Sequence, residues 1–184
     1  MITTGEPRMG AVQTEPVYHV ELVDGREIEK PLPKKWHILI QTYLTLVLNR
    51  DLLPEDYRAL PELNVLTGGR AADGRREYII PDLVVTERSA RYEDGDLAEA
   101  PLWGVEILSP GQTIGDLFVR AERLLKLGCP LVWVIWPEKR KAWEYSLADL
   151  REVESGLTAC LPADANTEPR FIWIPLAEMW AELE

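Results

Sequence analysis

The sequence predicts an α/β fold, in which helices flank a mixed sheet and a hairpin lies near the N-terminus. The first observation is the order of the patterns: a strand pair, a helix, several strands, a second helix and further strands follow one another. The second is size, since 184 residues, 46% of them hydrophobic, suit one domain with a full core. The third is the apolar run 131–136, which is typical of a strand buried between two layers.

The N-terminal third begins with two predicted strands. Asp24 and Gly25 are a hairpin turn signal between them, and prolines follow the second strand. Residues 34–49 have the spacing of a helix with one apolar side, and His37 lies in its first turn. The other elements expected here are strands at 17–23, 26–30 and 63–66, a loop at 51–61 and a turn region at 67–74.

The clearest helix covers residues 112–128. Its apolar residues recur every three or four positions, Gly128 is placed to end it, and Pro130 follows two positions later. The other elements expected in this part are strands at 78–85, 102–108, 131–136, 142–146 and 171–174, a hairpin formed by Val153 and residues 157–161, and a terminal helix at 175–183.

The ends of the chain and the cysteines suggest a simple organisation. We expect residues 1–16 to form a flexible tail and residues 17–184 a single domain. The first residues are polar and lack the apolar stretch of a signal peptide, and no run approaches the roughly 20 apolar residues that cross a bilayer. Cys129 and Cys160 are too few for a disulfide framework. These features predict a cytoplasmic protein without membrane association.

The net charge of −11 counts against a protein that coats nucleic acid, because such proteins are basic. An acidic chain can still bind DNA through a local basic patch, and acidity can also serve solubility alone. Two histidines and two cysteines make a zinc site improbable, whereas oxygen ligands for another metal are abundant. Seven tryptophans and many leucines are expected to leave apolar side chains on the surface, and such a surface favours a homodimer.

Two carboxylates interrupt apolar runs of the chain: Asp82 lies within 78–85 and Glu106 within 102–108. A carboxylate in a buried strand costs several kcal/mol unless it is paired or holds a metal. Two carboxylates on neighbouring strands repel each other unless a divalent cation lies between them. We therefore predict that Asp82 and Glu106 share Mg²⁺ or Mn²⁺, with Ile107 completing the ligand set through its backbone oxygen.

A cation is expected beside these carboxylates. Arg120 lies at the border of the apolar stripe of the helix 112–128, and its long stem can pack on apolar atoms while the guanidinium reaches the sheet. Gly104 shares a face with Glu106 by strand alternation, so we expect open space beside the carboxylate. A divalent ion held by the two carboxylates would offset charge on a reacting phosphate, and the nearby cation would support the pentavalent transition state.

The ordered set of motifs resembles the PD-(D/E)XK nuclease superfamily, which has the restriction-endonuclease-like fold, and more closely its Uma family of restriction endonucleases. The resemblance covers roughly residues 17–146. It rests on residues 21–25, His37, Pro81, Asp82, residues 105–110, Asp116, Arg120, Gly128 and the strand 131–136 followed by Pro137. It implies a metal-dependent endonuclease acting on DNA, with Asp82 and Glu106 as metal ligands and Glu21 as a further acidic group.

One position departs from the family pattern. The superfamily lysine lies two residues after the glutamate, where this chain has Leu108. In the Uma branch the lysine has moved to the next helix, four residues after an aspartate; counted from Asp116, that position is Arg120. Arginine keeps the charge but cannot act as a base.

Two functions therefore stay open. The first is a Mg²⁺-dependent DNA endonuclease with Asp82, Glu106, Arg120 and Glu21 as catalytic residues. The second is a nuclease-fold protein that has lost cleavage and serves as a binding or assembly module.

Each candidate residue also has a plainer interpretation. Asp82 follows a proline and could simply bond a turn. Arg120 could be a solvated helix residue that pairs with Asp116 one turn earlier. Glu21 and His37 are both compatible with surface positions.

Overall fold

The computed structural model describes residues 19–30, 32–163 and 168–184. The predicted tail, residues 1–16, lies outside these ranges, as do the first two residues of the predicted domain. Within the described ranges the chain forms three α-helices: α1 (Lys35–Val47), α2 (Ile114–Lys126) and α3 (Leu176–Ala181). A π-helical turn (Leu48–Leu52) continues α1, and a 3₁₀ turn (Pro137–Lys139) follows one of the strands.

The strands of the described residues follow the predicted order in most of the chain. They are, in chain order, β1 (His19–Val23), β2 (Arg26–Lys30), β3 (Tyr57–Pro61), β4 (Val65–Arg70), β5 (Arg76–Ile79), β6 (Leu83–Glu87), β7 (Tyr92–Glu93), β8 (Asp96–Leu97), β9 (Trp103–Ile107), β10 (Val132–Trp136), β11 (Lys141–Tyr145), β12 (Leu150–Val153), β13 (Gly156–Leu161) and β14 (Arg170–Pro175).

These strands form two six-stranded sheets and a two-stranded ribbon. The first sheet has the spatial order β2-β1-β5-β4-β8-β7, the second has the order β12-β11-β10-β9-β6-β3, and β13 pairs with β14. The pairs β9–β10 and β4–β8 are parallel, while the other recorded pairs are antiparallel. The fold is therefore the predicted α/β arrangement with mixed sheets, helices and an N-terminal hairpin.

Other elements pack on both faces of the second sheet. Because side chains alternate along a strand, successive residues contact the elements on opposite faces. On one face, Leu124 of α2 packs with Val134 of β10 in a cluster that also includes residues of the first sheet. On the other face, Leu44 of α1 packs with Val105 and Ile107 of β9, beside the β13–β14 ribbon and α3. Even-numbered positions of β9 thus face α2, and odd-numbered positions face α1.

Helix α2 confirms the helix predicted at 112–128. Its start is fixed by a capping box, in which the Thr113 hydroxyl accepts from the Asp116 amide and the Asp116 carboxylate accepts from the Thr113 amide. It ends before Gly128, whose φ of +103° is a conformation that favours glycine.

The prediction of a single strand at 78–85 is wrong. Its first half belongs to β5 in the first sheet and its second half is β6 in the second sheet. Pro81 lies between them and has no amide hydrogen to continue a ladder, so the chain crosses from one sheet to the other there. Asp82 therefore stands immediately before β6, at the point where the two sheets meet.

Three other expectations were wrong in part. The loop predicted at 51–61 contains β3, which forms the edge of the second sheet and ends at a proline, as edge strands tolerate. The turn region predicted at 67–74 contains the second half of β4. The predicted hairpin of Val153 with 157–161 does not form, because β12 pairs with β11 and β13 pairs with β14. Among the described residues, no helix is both long and apolar enough to cross a membrane.

Candidate active site

The ladder between β6 and β9 ends beside Asp82 and Glu106. Leu83 pairs with Val105, so Asp82 directly precedes one member of this pair and Glu106 directly follows the other. Both carboxylates are almost completely buried, at 2% exposure each.

Asp82 is held by contacts from three directions. Its Oδ2 accepts a hydrogen bond of 2.6 Å from the Ile107 amide, which ties it to the strand of Glu106. Its Oδ1 lies 2.6 Å from the Lys30 ammonium of β2. The same Oδ1 lies 3.5 Å from Nε2 of His37 on α1. Asp82 therefore lies where β2, α1 and β9 meet, and it is not a simple turn residue.

Arg120 lies between two buried carboxylates. Its Nε donates to Glu106 over 2.9 Å, and its two terminal nitrogens donate to Glu21 over 2.7 and 2.9 Å. It also donates to the Ile80 carbonyl over 3.0 Å, while Glu21 accepts from the Ile80 amide. This Glu21–Arg120–Glu106 triad links the first sheet, α2 and the second sheet, and Asp82 lies beside it.

The plainer interpretations of Arg120, Glu21 and His37 are wrong in this structure. Asp116 is engaged in the cap of α2, and Arg120 turns inward to Glu21 and Glu106 instead. Glu21 and His37 are 1% and 3% exposed, so neither is a surface residue. The structure therefore brings all four predicted catalytic residues into one buried cluster.

The open space expected beside Gly104 is not there. A Cβ at this position would lie 2.8 Å from Cδ1 of Leu124, so the methyl groups of α2 fill the site. Gly104 thus allows α2 to approach the sheet closely enough for Arg120 to reach Glu106. The amide of Ile107, the third predicted metal-ligand residue, binds Asp82, while its side chain packs in the core on the α1 side.

Sequence reasoning missed Lys30 and Glu62, and it gave His37 no place in the site. Lys30 Nζ lies 2.8 Å from Glu62 and 2.6 Å from Asp82, with a side chain only 8% exposed. Gln41 supports this group, because its amide donates to Glu62 over 2.9 Å and to the Asp82 carbonyl over 2.7 Å. The site therefore has a second half on the side of β2 and α1.

Two of these residues carried a signal in the sequence. Lys30 lies two positions after Ile28 on β2, so both side chains lie on the inward face of the hairpin. His37 precedes Ile40 by three positions and Leu44 by seven, so it belongs to the buried stripe of α1. Glu62 had no such local signal, since it lies in the connection after β3 with a φ of +51°.

The charges of the cluster do not balance. Four carboxylates surround two cations in the cluster. The carboxylates are Glu21, Glu62, Asp82 and Glu106, and the cations are Lys30 and Arg120. With every carboxyl ionised and His37 neutral, the cluster has a net charge of two negative units. Burial raises the pKa of Glu106 to about 7, with Arg120 opposing the shift and Asp82 adding to it.

Asp82 and Lys30 are held in their charged forms. Burial alone would raise the pKa of Asp82, but the positive charges of Lys30 and Arg120 hold that pKa below its ordinary value. Burial likewise opposes the charge of Lys30, yet Asp82, Glu106 and Glu62 raise the pKa of its ammonium above the ordinary value. The aspartate therefore stays an anion at neutral pH, as a metal ligand must.

The cluster fits a divalent cation on two observations. The first is the excess of two negative charges, which one divalent ion offsets. The second is Asp82 Oδ1, a buried carboxylate oxygen that lies 2.6 Å from the Lys30 ammonium and 3.5 Å from Nε2 of His37. Buried oxygen ligands of this type suit Mg²⁺ or Mn²⁺.

Comparison with known proteins supplies independent information. The model of the Uma2 family, described as "Putative restriction endonuclease", matches residues 9–170 of the chain. The chain is also similar to a solved structure from Anabaena variabilis ATCC 29413, described as a "putative nuclease belonging to DUF820", with a TM-score of 0.68 and 26% identity over 90% of this chain and 91% of that one. No curated protein matches the chain at a significant level.

Proposed function

The chain belongs to the Uma2 family of nucleases, and on that premise we propose that it is a metal-dependent endonuclease that hydrolyses phosphodiester bonds in DNA. The observation that carries the proposal is the hydrogen bond from the Ile107 amide to Asp82, which holds this carboxylate beside the strand of Glu106 in a buried cluster with excess negative charge. The negative charge that Lys30 and Arg120 leave uncompensated favours a bound divalent cation, since buried carboxylates repel each other.

Asp82 and Glu106 are the proposed ligands of Mg²⁺ or Mn²⁺, with the backbone oxygen of Ile107 as a third. When bound, the ion supplies Lewis-acid stabilisation of the phosphate and promotes the ionisation of water. The Ile107 amide fixes the Asp82 carboxylate through its 2.6 Å hydrogen bond, so one ligand is oriented before any ion arrives.

Arg120 contacts the phosphate in this proposal. Its guanidinium has five N–H groups, and Nε, one N–H of Nη1 and both of Nη2 are engaged by Glu106, Glu21 and the Ile80 carbonyl. One N–H of Nη1 is left without a partner among the described residues, which is enough to contact a phosphate oxygen. Glu21 keeps the guanidinium in place, because it binds two of its nitrogens.

A second candidate function is a nuclease-fold protein that no longer cleaves and acts as a binding or assembly module. The observation in its favour is that Arg120 stands where the family has lysine and forms ion pairs with Glu21 and Glu106 at once. An arginine so placed neutralises a proposed metal ligand and cannot serve as a base. The two candidates differ in whether millimolar Mg²⁺ or Mn²⁺ produces strand breaks.

We also propose that the working unit is a homodimer. Phe171 and Trp173 lie two positions apart on β14, so their side chains share one face of the strand. They are 78% and 53% exposed and form an apolar face on the outside of the ribbon. Light scattering of the protein and of a Phe171→Ser, Trp173→Ser double variant tests this. We expect the mass of two chains for the unaltered protein and of one for the variant.

Plasmid nicking tests the proposed activity. We expect the purified protein to convert supercoiled DNA to nicked and linear forms with Mg²⁺ or Mn²⁺, and to lose this activity with EDTA. Asp82→Asn should reduce the rate at least about 100-fold, in the range of other losses of charge stabilisation. The matched control is Glu154→Gln, an exposed carboxylate on the connection between β12 and β13. Cleavage by a folded Asp82→Asn protein at the unaltered rate rejects the assignment.

A further inference from the structure

We propose that His37, Glu62 and Asp82 form a second cation site that takes a divalent transition-metal ion of the Mn²⁺ type, and that the Lys30 ammonium occupies this site in the metal-free protein. The site shares Asp82 with the proposed Asp82–Glu106 centre but lies on the β2 and α1 side of it. It goes beyond the proposed function, because it requires neither Glu106 nor cleavage.

The three side chains meet at metal-binding distances of one another. One nitrogen of His37, one oxygen of Glu62 and one oxygen of Asp82 all lie within 4.8 Å of each other. Ligands around one ion at about 2.0–2.3 Å lie at most about 4.5 Å apart, so a slight contraction brings all three into contact with a single ion.

His37 points an unpartnered atom into this space. Its Nδ1 lies 2.9 Å from the Ser109 hydroxyl, while its buried Nε2 has no hydrogen-bond partner among the described residues. Nε2 lies 3.5 Å from Oδ1 of Asp82, the buried oxygen that the Lys30 ammonium contacts at 2.6 Å. When Nδ1 carries the proton and donates it to the Ser109 hydroxyl, Nε2 has a lone pair that faces the Asp82 carboxylate. The lone pair and the carboxylate repel each other, and a cation between them removes this repulsion.

Lys30 supplies a cation at this place. Its ammonium lies 2.6 Å from Asp82 and 2.8 Å from Glu62 and touches two of the three ligands. Lysine is a flexible chain with a point charge at its end, so it can leave the site when an ion of higher charge arrives. The ammonium and the metal ion are therefore competitors for the same two carboxylates.

The surroundings hold the ligands and provide access. Gln41 donates to Glu62 and to the Asp82 carbonyl, which fixes both residues from α1. A cavity of about 90 Å³ adjoins the cluster and is lined by His19, Lys30, Leu32, Pro33, His37, Gln41 and Glu62. It provides an entry path for an ion and space into which the Lys30 side chain can move.

The ligand set favours a particular class of ion. One imidazole and two carboxylates suit Mn²⁺ or Zn²⁺, whereas Mg²⁺ prefers oxygen ligands and keeps much of its water. The histidine nitrogen also separates this site experimentally from the Asp82–Glu106 centre, whose proposed ligands are oxygens.

The test measures Mn²⁺ binding to the full chain by calorimetry, together with ¹⁴N coupling at the bound Mn²⁺ by pulsed electron paramagnetic resonance. In a Lys30→Met variant we expect binding at least about tenfold tighter than in the unaltered protein, because the competing charge is gone. We also expect a ¹⁴N coupling from His37. Adding His37→Gln to this variant should remove both effects, whereas adding Glu154→Gln, the exposed carboxylate between β12 and β13, should leave both.

Glu106→Gln in the Lys30→Met background should keep the ¹⁴N coupling, so failure of the proposed nuclease centre and failure of this site give different results. If Lys30→Met does not fold, the unaltered protein at millimolar Mn²⁺ gives the same coupling, which His37→Gln removes. Absence of ¹⁴N coupling in every folded variant at saturating Mn²⁺, or its persistence after His37→Gln, overturns the proposal.

Discussion

Asp82 accepts a hydrogen bond of 2.6 Å from the amide of Ile107, the residue that directly follows Glu106 on β9. This relationship makes the position of one carboxylate depend on the strand that carries the other. A change in the register between β6 and β9 would separate them, because a shift of one residue turns a side chain to the opposite face. The geometry of the site is therefore a property of the second sheet.

The Glu21–Arg120–Glu106 triad gives a prediction for stability. Arg120→Gln leaves two buried carboxylates without their cation, so we expect the free energy of unfolding to fall by about 3–5 kcal/mol. Urea denaturation measures this loss. Arg50→Gln is the matched control: its side chain is 75% exposed and pairs with its neighbour Asp51, so we expect no measurable change in the free energy of unfolding. Equal losses in the two variants would contradict a structural role for the triad.

The raised pKa of Glu106 predicts a dependence of stability on pH. Between its ordinary value of 4.5 and about 7, the folded protein keeps a proton on Glu106 that the unfolded chain has released. The folded state thus binds more protons in this window, and its stability falls as the pH rises. We expect a loss of roughly 1–3 kcal/mol for the metal-free protein from this group.

Glu106→Gln isolates that contribution. Glutamine cannot titrate, so the difference in unfolding free energy between the two proteins should change steadily from pH 4.5 to 7 and then level off. Denaturation series at half-unit steps, in EDTA, measure it. A difference that is constant over the window would show that Glu106 is ionised throughout and that Arg120 offsets its burial completely.

The contact between Gly104 and α2 predicts opposite effects for two glycines. Gly104→Ala places a methyl group 2.8 Å from Leu124, and we expect a destabilisation of about 1–3 kcal/mol. Gly115→Ala lies in the first turn of α2, where the nearest atom is 3.6 Å away, and alanine should stabilise the helix by up to about 1 kcal/mol. Thermal melting of both variants tests this, and stabilisation by Gly104→Ala would show that α2 is free to move away from the sheet.

Local patterns were enough to predict part of this site. The spacing of apolar residues and Gly128 fixed α2, and with it the inward position of Arg120. The carboxylate within the apolar run of β9 identified Glu106. These features lie within one element each, so a single periodicity reveals them.

The rest depends on contacts between distant segments. Pro81 ends β5, but only the assembled sheets show that the chain changes sheet there. The segment Tyr57–Pro61 resembles a loop by composition and becomes a strand through pairing with β6. Glu62 joins the site by donating its amide to the Asp82 carbonyl and pairing with Lys30, contacts that no local pattern encodes.

The position of bound metal tests the central claim most directly. Crystals soaked in Mn²⁺ and measured at the manganese absorption edge locate the ion by its anomalous signal. We predict a peak within coordination distance, about 2.0–2.4 Å, of one oxygen of Asp82 and one of Glu106. Carboxylates that remain bound only to Arg120 and Lys30 at saturating Mn²⁺, with no peak touching Glu106, would contradict it.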